Sequence, residues 1–322
     1  MAIICSGLMD AYLVTGGAGF IGSHIIRHLT GTGQRVRVLD NFSTGKKENL
    51  QGIDGHLEVI EGDIRNLEDV RAAVKGIDYI LHLAAQVSVP VSMEDPATTY
   101  DINLKGTCNI LEAAHAAGVK RLVFSSSCAV YGNTTDLPIK ESSPVRPISP
   151  YASSKYEAEE YCRYFYEEFG FETVSLRYFN VFGPGQSPDS AYAAVIPKFA
   201  SAITTGRQPV IYGDGEQTRD FVYVENVVKA NLLACKCDAA IGRVFNIGSG
   251  IETSLNELLH TMANIAGRSV NPHYAEQRSG DIKNSVGDIS LAREVLGFEC
   301  ATDLKTGLRH TMDSFTVLAQ IT

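Results

Sequence analysis

The chain has 322 residues, 44% of them hydrophobic and 20% charged, proportions of a globular protein of roughly two domains. The 28 Lys and Arg against 37 Asp and Glu leave a formal charge of −9, which excludes the broad basic face that nucleic-acid binding requires. The most apolar stretch, Ile80 to Val91, is broken by His82, Gln86 and Ser88, so no membrane-spanning helix is expected.

Residues 1–8 lack the basic start and long apolar core of a secretory signal, and read as an extension ahead of Met9. The seven cysteines, an odd number without a CxxC, fit reduced thiols in a cytoplasmic protein. Short buried strands are expected at Tyr12–Thr15, Val36–Asp40, Leu57–Glu61, Ile77–Leu83, Arg121–Ser126 and Thr173–Arg177. Helical periodicity lies between most of them, at Ile21–Thr30, Leu67–Val74, Ile102–Ala117 and Ser153–Phe169, with Gly118 closing the third helix. Repeated strand-then-helix patterns predict an α/β fold with a parallel sheet covered on both faces. After Asn180 the chain becomes loop-rich, then returns to the sheet through a helix at Val224–Ala234 and a strand at Arg243–Ile247. Ser254–Ala266 and the tail read as part of a smaller mixed α/β domain. The expected division is 9–180 plus 218–250 for the first domain, and 181–217 plus 251–322 for the second.

The first strand runs into TGGAGFIG, where Gly16, Gly19 and Gly22 open a helix. Glycines there permit a tight turn and close approach of a pyrophosphate to the helix N-terminus. Asp40, at the end of the second strand, stands where a carboxylate would bind a ribose diol and repel a 2′-phosphate. The context makes the first domain a Rossmann-type doubly wound nucleotide fold and favours NAD over NADP. Asp63 would either close the adenine end or cap the next helix. His24 and His28 are one turn apart, but no third ligand is evident, so no metal is expected.

Tyr151 and Lys155 share one helix face, one turn apart. A free tyrosine titrates near pH 10, and a neighbouring ammonium would stabilise its phenolate. The pair follows SSSCAVYG, at the C-terminal end of the fifth strand, where open α/β sheets place their ligands.

Together TGGAGFIG, DNFSTG, HLAAQVSVPVS, SSSCAVYG, SPYASSK, RYFNVFGPGQ and TRDFVYVEN resemble the extended short-chain dehydrogenases/reductases, and more narrowly their nucleotide-sugar 4-epimerases. The resemblance covers nearly the whole chain from Met9. It implies Ser127, Tyr151 and Lys155 as the catalytic set. Ser127 would bind the sugar 4-hydroxyl, Tyr151 would take its proton, and Lys155 would bind the nicotinamide ribose. A hydride would pass from C4 to NAD, giving a 4-keto sugar that turns over and takes it back. NAD would thus be retained and the cycle redox-neutral. The resemblance further places Phe20, Ile21, Asn41, Ser43, Gly45, Ile64, Leu83, Ala84, Ala85 and Tyr178 against the cofactor.

For the substrate, a UDP-sugar, it implies Ser88, Asn180, Ala194, Val195, Phe199, Val210 and Tyr212. Arg219 and Arg278 would clamp the phosphates, or form surface ion pairs, and Asp281 would hold a ribose hydroxyl. Ser285 would lie against the sugar, its small side chain admitting an N-acetyl group, or be small for local packing. The expected substrates are therefore UDP-GlcNAc/UDP-GalNAc, with UDP-Glc/UDP-Gal alongside. Related dehydratases carry Asp-Glu where this chain has Cys128 and Ala129, which cannot act as the acid and base that loss of water demands. Other nucleotide-sugar chemistry, or an NAD-binding regulator without turnover, are the alternatives. A homodimer is implied through the helices near Ile102–Ala117 and Tyr151–Phe169, where Tyr161, Phe165 and Phe169 form a stripe that is either interface or core.

Overall fold

A computed structural model describes residues 9–188, 194–277 and 282–321, so that Arg278 and Asp281 lie outside the described residues. Six strands form the first half: β1 (Ala11–Thr15), β2 (Arg35–Asp40), β3 (Leu57–Glu61), β4 (Tyr79–His82), β5 (Arg121–Ser127) and β6 (Glu172–Tyr178). Six more follow: β7 (Asn180–Phe182), β8 (Val210–Tyr212), β9 (Thr218–Tyr223), β10 (Val244–Ile247), β11 (Glu252–Ser254) and β12 (His273–Ala275). The helices are α1 (Phe20–Gly31), α2 (Leu67–Ala73), α3 (Val89–Glu94), α4 (Pro96–Tyr100), α5 (Gly106–Ala116), α6 (Pro150–Phe169), α7 (Val195–Thr205), α8 (Val224–Lys236), α9 (Leu255–Ile265) and α10 (Leu304–Ile321). None of the described helices is long and apolar enough to cross a membrane.

Seven parallel strands run in the order β3-β2-β1-β4-β5-β6-β10. The period of two along each strand sends its side chains into two separate cores. Tyr12 and Val14 of β1 pack with Ile25 and Ile26 of α1 and Val227 of α8. Ala11 and Leu13 face the other way, onto Ile110 and Leu111 of α5 and Ala158 of α6. Each fully buried aliphatic side chain in these layers contributes about 1.5–3 kcal/mol relative to exposure. Strand order reverses between β1 and β4, which opens a crevice at the carboxyl ends of the strands. A third core, with Phe199, Phe221, Leu258, Met262 and Leu308, joins α7, α9 and α10 to the small β11-β9-β7 sheet.

Three details differ from the sequence expectation. Residues 218–220, read as loop, belong to a strand, β9, that pairs with β7 and β11. Ile289, Ala292, Leu296 and Phe298, late in the chain, pack into the core of the large sheet. The helix expected from Ile102 starts at Pro96, where Asp95 accepts the Thr98 amide, and passes through a π turn at Asp101–Lys105 before continuing as α5. A π turn leaves no mark on hydrophobic periodicity, and such turns gather at functional sites.

Candidate active site

The strand ends enclose a cavity of about 850 Å³, lined by residues after β1, β3 and β4, at the ends of β2, β5 and β6, and by the smaller domain. Its cofactor half begins at Gly16, whose φ of +68° is a left-handed conformation and whose Cβ, if present, would lie 2.8 Å from the Ala84 nitrogen. A Cβ on Gly22 would meet the Gly17 Cα at 2.7 Å. Gly19 caps α1 with no side-chain hydrogen bond, so the amides of the first turn, at Phe20, Ile21 and Gly22, remain for an anion.

Asp40 is buried and accepts from the Ala18 nitrogen at 2.9 Å and the Phe42 nitrogen at 2.8 Å, which holds its carboxylate beside this turn. Asp63 accepts from Arg65 and, at 2.9 Å, from Asn41 Nδ2; the Arg65 hydrogen bond holds it well below the usual carboxylate range. Asn66 caps α2, so Asp63 is not that helix's cap. A tight turn that a Cβ at Gly16 or Gly22 would drive into the protein's own backbone, with a helix N-terminus and a fixed carboxylate beside it, fits the pyrophosphate and ribose of a dinucleotide. Gly16, Gly19, Asn41, Ser43, Gly45, Ile64, Leu83, Ala84, Ala85 and Tyr178 all line the same cavity.

A chain of hydrogen bonds behind the glycine turn fixes its position. Thr107 Oγ1 donates to the Asn103 carbonyl at 2.6 Å, so it must accept from His82 Nε2 at 2.9 Å. His82 Nδ1 is then the acceptor for Thr15 Oγ1 at 2.7 Å, and Thr15 in turn accepts the Ala84 amide at 3.2 Å. Burial pushes the His82 imidazole down to about 3, consistent with this neutral form. Asn103, in the π turn, bonds both the nitrogen and the carbonyl of Gln86 (2.7 and 3.0 Å) and the Ser154 hydroxyl (3.0 Å).

Three consecutive serines at the end of β5 line the cavity, each with a different partner. Ser125 Oγ lies 3.0 Å from the Tyr178 hydroxyl, and Ser126 Oγ donates to Glu159 at 2.9 Å. Ser127 faces Tyr151, and its hydroxyl works to lower the phenol's pKa. Burial outweighs that contact and pushes Tyr151 up to about 12. Ser149 caps α6 and Pro150 occupies its first position, which sets Tyr151 in the first helical turn. Lys155, one turn on, donates from Nζ to the Ser125 carbonyl at 2.8 Å and lies over the Phe124 ring. Burial lowers Lys155 to about 8. Within the polypeptide the lysine is thus engaged by a carbonyl, and burial is the largest influence on the Tyr151 phenol.

The other half of the cavity holds Asn180, Ala194, Val195, Phe199, Val210, Tyr212 and Arg219. Ser88 is not among the lining residues; it caps α3 by accepting the Val91 amide at 3.3 Å. Ser285 is not among them either; it is buried and hydrogen-bonded to the Cys128 thiol. The sequence reading missed Gln186 and Gln217, which also line the cavity. Their Oε1 atoms are the buried side-chain polar atoms without a partner among the described residues. A signal for Gln217 was available: it alternates with Arg219 and Phe221, and all three face the same space.

The sequence profile described as the NAD dependent epimerase/dehydratase family matches residues 12–248. Among solved structures, the UDP-N-acetylglucosamine 4-epimerase of Methanobrevibacter ruminantium M1, in complex with UDP-N-acetylmuramic acid, is 41% identical with a TM-score of 0.92, covering 97% of this chain and 99% of its own. The UDP-glucose 4-epimerase of Thermotoga maritima with UDP-glucose is 39% identical with a TM-score of 0.92, covering 96% and 99%. A UDP-glucose 4-epimerase of Mycolicibacterium smegmatis is 38% identical over 308 residues, 94% of this chain and 97% of its own.

Proposed function

Because the chain belongs to the NAD-dependent epimerase/dehydratase family, and NAD is its cofactor, we propose that it epimerises C4 of a UDP-hexose through a 4-keto sugar. UDP-GlcNAc/UDP-GalNAc is the proposed physiological pair, with UDP-Glc/UDP-Gal as a second. One observation carries this reading: Ser127, Tyr151 and Lys155 meet a dinucleotide cradle in a single cavity, while Cys128 and Ala129 occupy the adjoining turn. Thiol and methyl cannot supply the acid and base that loss of water would need. The burial of Cys128, which pushes its thiol up to about 12, keeps it neutral.

In the proposed reaction Ser127 orients the 4-hydroxyl and Tyr151 takes its proton, returning it when the ketone is reduced from the other face. Bound NAD supplies the hydride acceptor at C4 and a positive ring that favours the phenolate. Lys155, held by the Ser125 carbonyl, is proposed to bind the cofactor's ribose. Arg219 on β9 is proposed to bind phosphate oxygens, and Tyr212 and Phe199 to flank the base.

The preference for the acetylated pair rests on Ser285. It is buried against Cys128, the neighbour of Ser127, so a tyrosine in its place would press on the turn that follows Ser127. Purified protein given UDP-GlcNAc and no added nicotinamide should form UDP-GalNAc without net NADH. Dependence on external NADPH would overturn the epimerase reading. Replacement Ser285→Tyr should remove turnover of the acetylated pair selectively; equal loss on both pairs would overturn the specificity.

A homodimer is proposed through α5 and α6. Phe165 belongs to the core, whereas Tyr161 and Phe169 are about half exposed, which leaves part of the aromatic stripe for a partner. Light scattering at micromolar concentration tests it, and a monomer would count against it.

A further inference from the structure

Tyr178 ends β6 and lines the cavity, and its hydroxyl has two partners. One is Ser125 Oγ at 3.0 Å; the other is Asn231 Oδ1 at 2.9 Å. Asn231 is a fully buried residue in the middle of α8 and does not line the cavity. Its side-chain nitrogen donates to the Val227 carbonyl at 2.8 Å. A carbonyl only accepts, so Nδ2 must face Val227, and Oδ1 must face Tyr178.

The polarity of the chain follows. A phenol has one proton, and Tyr178 gives it to Asn231. The contact between Tyr178 and Ser125 can then be made only if Ser125 Oγ donates. Having spent its proton on Tyr178, the Ser125 hydroxyl turns a lone pair to the cavity that it lines. The same residue's carbonyl holds the Lys155 ammonium, which puts Ser125 at the end of the cavity where the catalytic residues lie.

We infer that Asn231 is a positioning residue: acting through Tyr178, it makes Ser125 Oγ a hydrogen-bond acceptor for the carboxamide N–H of the cofactor's nicotinamide. Without Asn231 the Tyr178 proton is free to turn to Ser125. The serine proton then points into the cavity, and the acceptor becomes a donor. The inference concerns cofactor binding only, so it stands or falls independently of which sugar is turned over.

The test is a competition between NAD and its 3-acetylpyridine analogue, in which a methyl group replaces the amide nitrogen and its protons. Protein is equilibrated with equal excesses of both, and the bound dinucleotides are released by acid and quantified. One neutral hydrogen bond amounts to about 1 kcal/mol, so the wild type should favour NAD about fivefold. Asn231→Leu and the milder Tyr178→Phe should bring the ratio to within about twofold of one. Asn231→Asp should keep the wild-type preference. A protonated aspartic acid donates to Val227 and accepts from Tyr178 as asparagine does, whereas a merely structural loss would not be rescued in this way. An unchanged ratio in both Asn231→Leu and Tyr178→Phe would overturn the inference, as would a wild type that does not discriminate.

Discussion

The Lys155 ammonium donates to the Ser125 carbonyl at 2.8 Å in an interior where both residues are nearly inaccessible to water. Burial lowers the lysine from 10.5 to about 8, so the folded protein holds this proton less tightly than the unfolded chain does. Below pH 8 both states carry the proton, and the fold bears the full cost of a buried cation. Between about 8 and 10.5 the unfolded chain binds more protons than the folded one, so the lysine's contribution to stability rises with pH. Above 10.5 both are neutral. Nucleotide-free Lys155→Met should therefore be more stable than the wild type at pH 7, and that margin should close as pH rises through this window. Denaturant melts of both proteins across pH 7 to 10.5 decide it; a pH-independent margin would contradict the assignment.

Tyr151 is the proposed proton acceptor, yet burial pushes its phenol up to about 12. Removing the hydroxyl removes proton transfer and leaves the cavity's shape intact. Tyr151→Phe should lower kcat by about 10²–10⁴-fold. It should retain its NAD, since the glycine turn and Asp40 lie apart from it. In the wild type kcat should climb with pH as the phenol gives up its proton. Retention of more than a tenth of wild-type turnover in Tyr151→Phe would show that another group takes the proton.

The elements that were legible in the sequence are those whose physics is local. The inner parallel strands announce themselves as short apolar runs because both their faces are covered, whereas β3 at the sheet edge, expected to be buried, has no buried residue. Gly16, Gly19, Gly22 and Asp40 could be placed together because a tight turn and a strand-end carboxylate are set by neighbours in the chain. Tyr151 and Lys155 could be placed together because one helical turn fixes their common face. The groups that steer them were not legible. Asn231 meets Tyr178 across 53 residues, and Ser125 meets the same hydroxyl across another 53. Asn103 meets Gln86 across 17 residues, from a π turn that hydrophobic periodicity does not mark. The three-residue strands β7, β8, β11 and β12 are too short for periodicity; β9 joins β7 and β11, and β8 joins β12, through pairings that only the folded chain creates.

Gln217 carries a second consequence of burial. Its Nε2 donates to the Tyr212 carbonyl at 2.6 Å, while Oε1 is sealed from solvent without a partner, a condition that costs about 1–3 kcal/mol. Rotation about the soft terminal torsion can turn this oxygen toward the cavity that Gln217 lines, where a donor on the nucleotide would satisfy it. Gln217→Met removes the orphan oxygen together with one hydrogen bond. Stability should shift by less than about 1 kcal/mol, while the Kd for UDP rises about fivefold, the equivalent of one hydrogen bond. Calorimetric titration with UDP checks it, and a Kd within a factor of two of wild type would rule out a ligand role for the oxygen.

Glu159 and Arg177 form the buried ion pair behind the serines, with side chains 2% and 4% exposed. Arg177 Nε donates to Glu159 Oε2 at 3.0 Å, and its Nη1 donates to the Tyr131 hydroxyl at 2.8 Å. The pair ties α6, which carries Tyr151 and Lys155, to β6, and through Ser126 it reaches the end of β5. Deleting one partner leaves the other charge buried and unmatched. Arg177→Met should therefore cost about 3–5 kcal/mol in urea unfolding. Replacing both, as in Glu159→Leu with Arg177→Met, should recover a large part of that loss, because no charge is then left in the interior. The double variant should still show reduced kcat with little change in affinity for UDP, since Ser126 loses its acceptor and the helix its register on the serines. Full wild-type kcat in the double variant would show that the pair serves folding alone. A single variant within about 1 kcal/mol of wild type would show that water reaches the remaining charge.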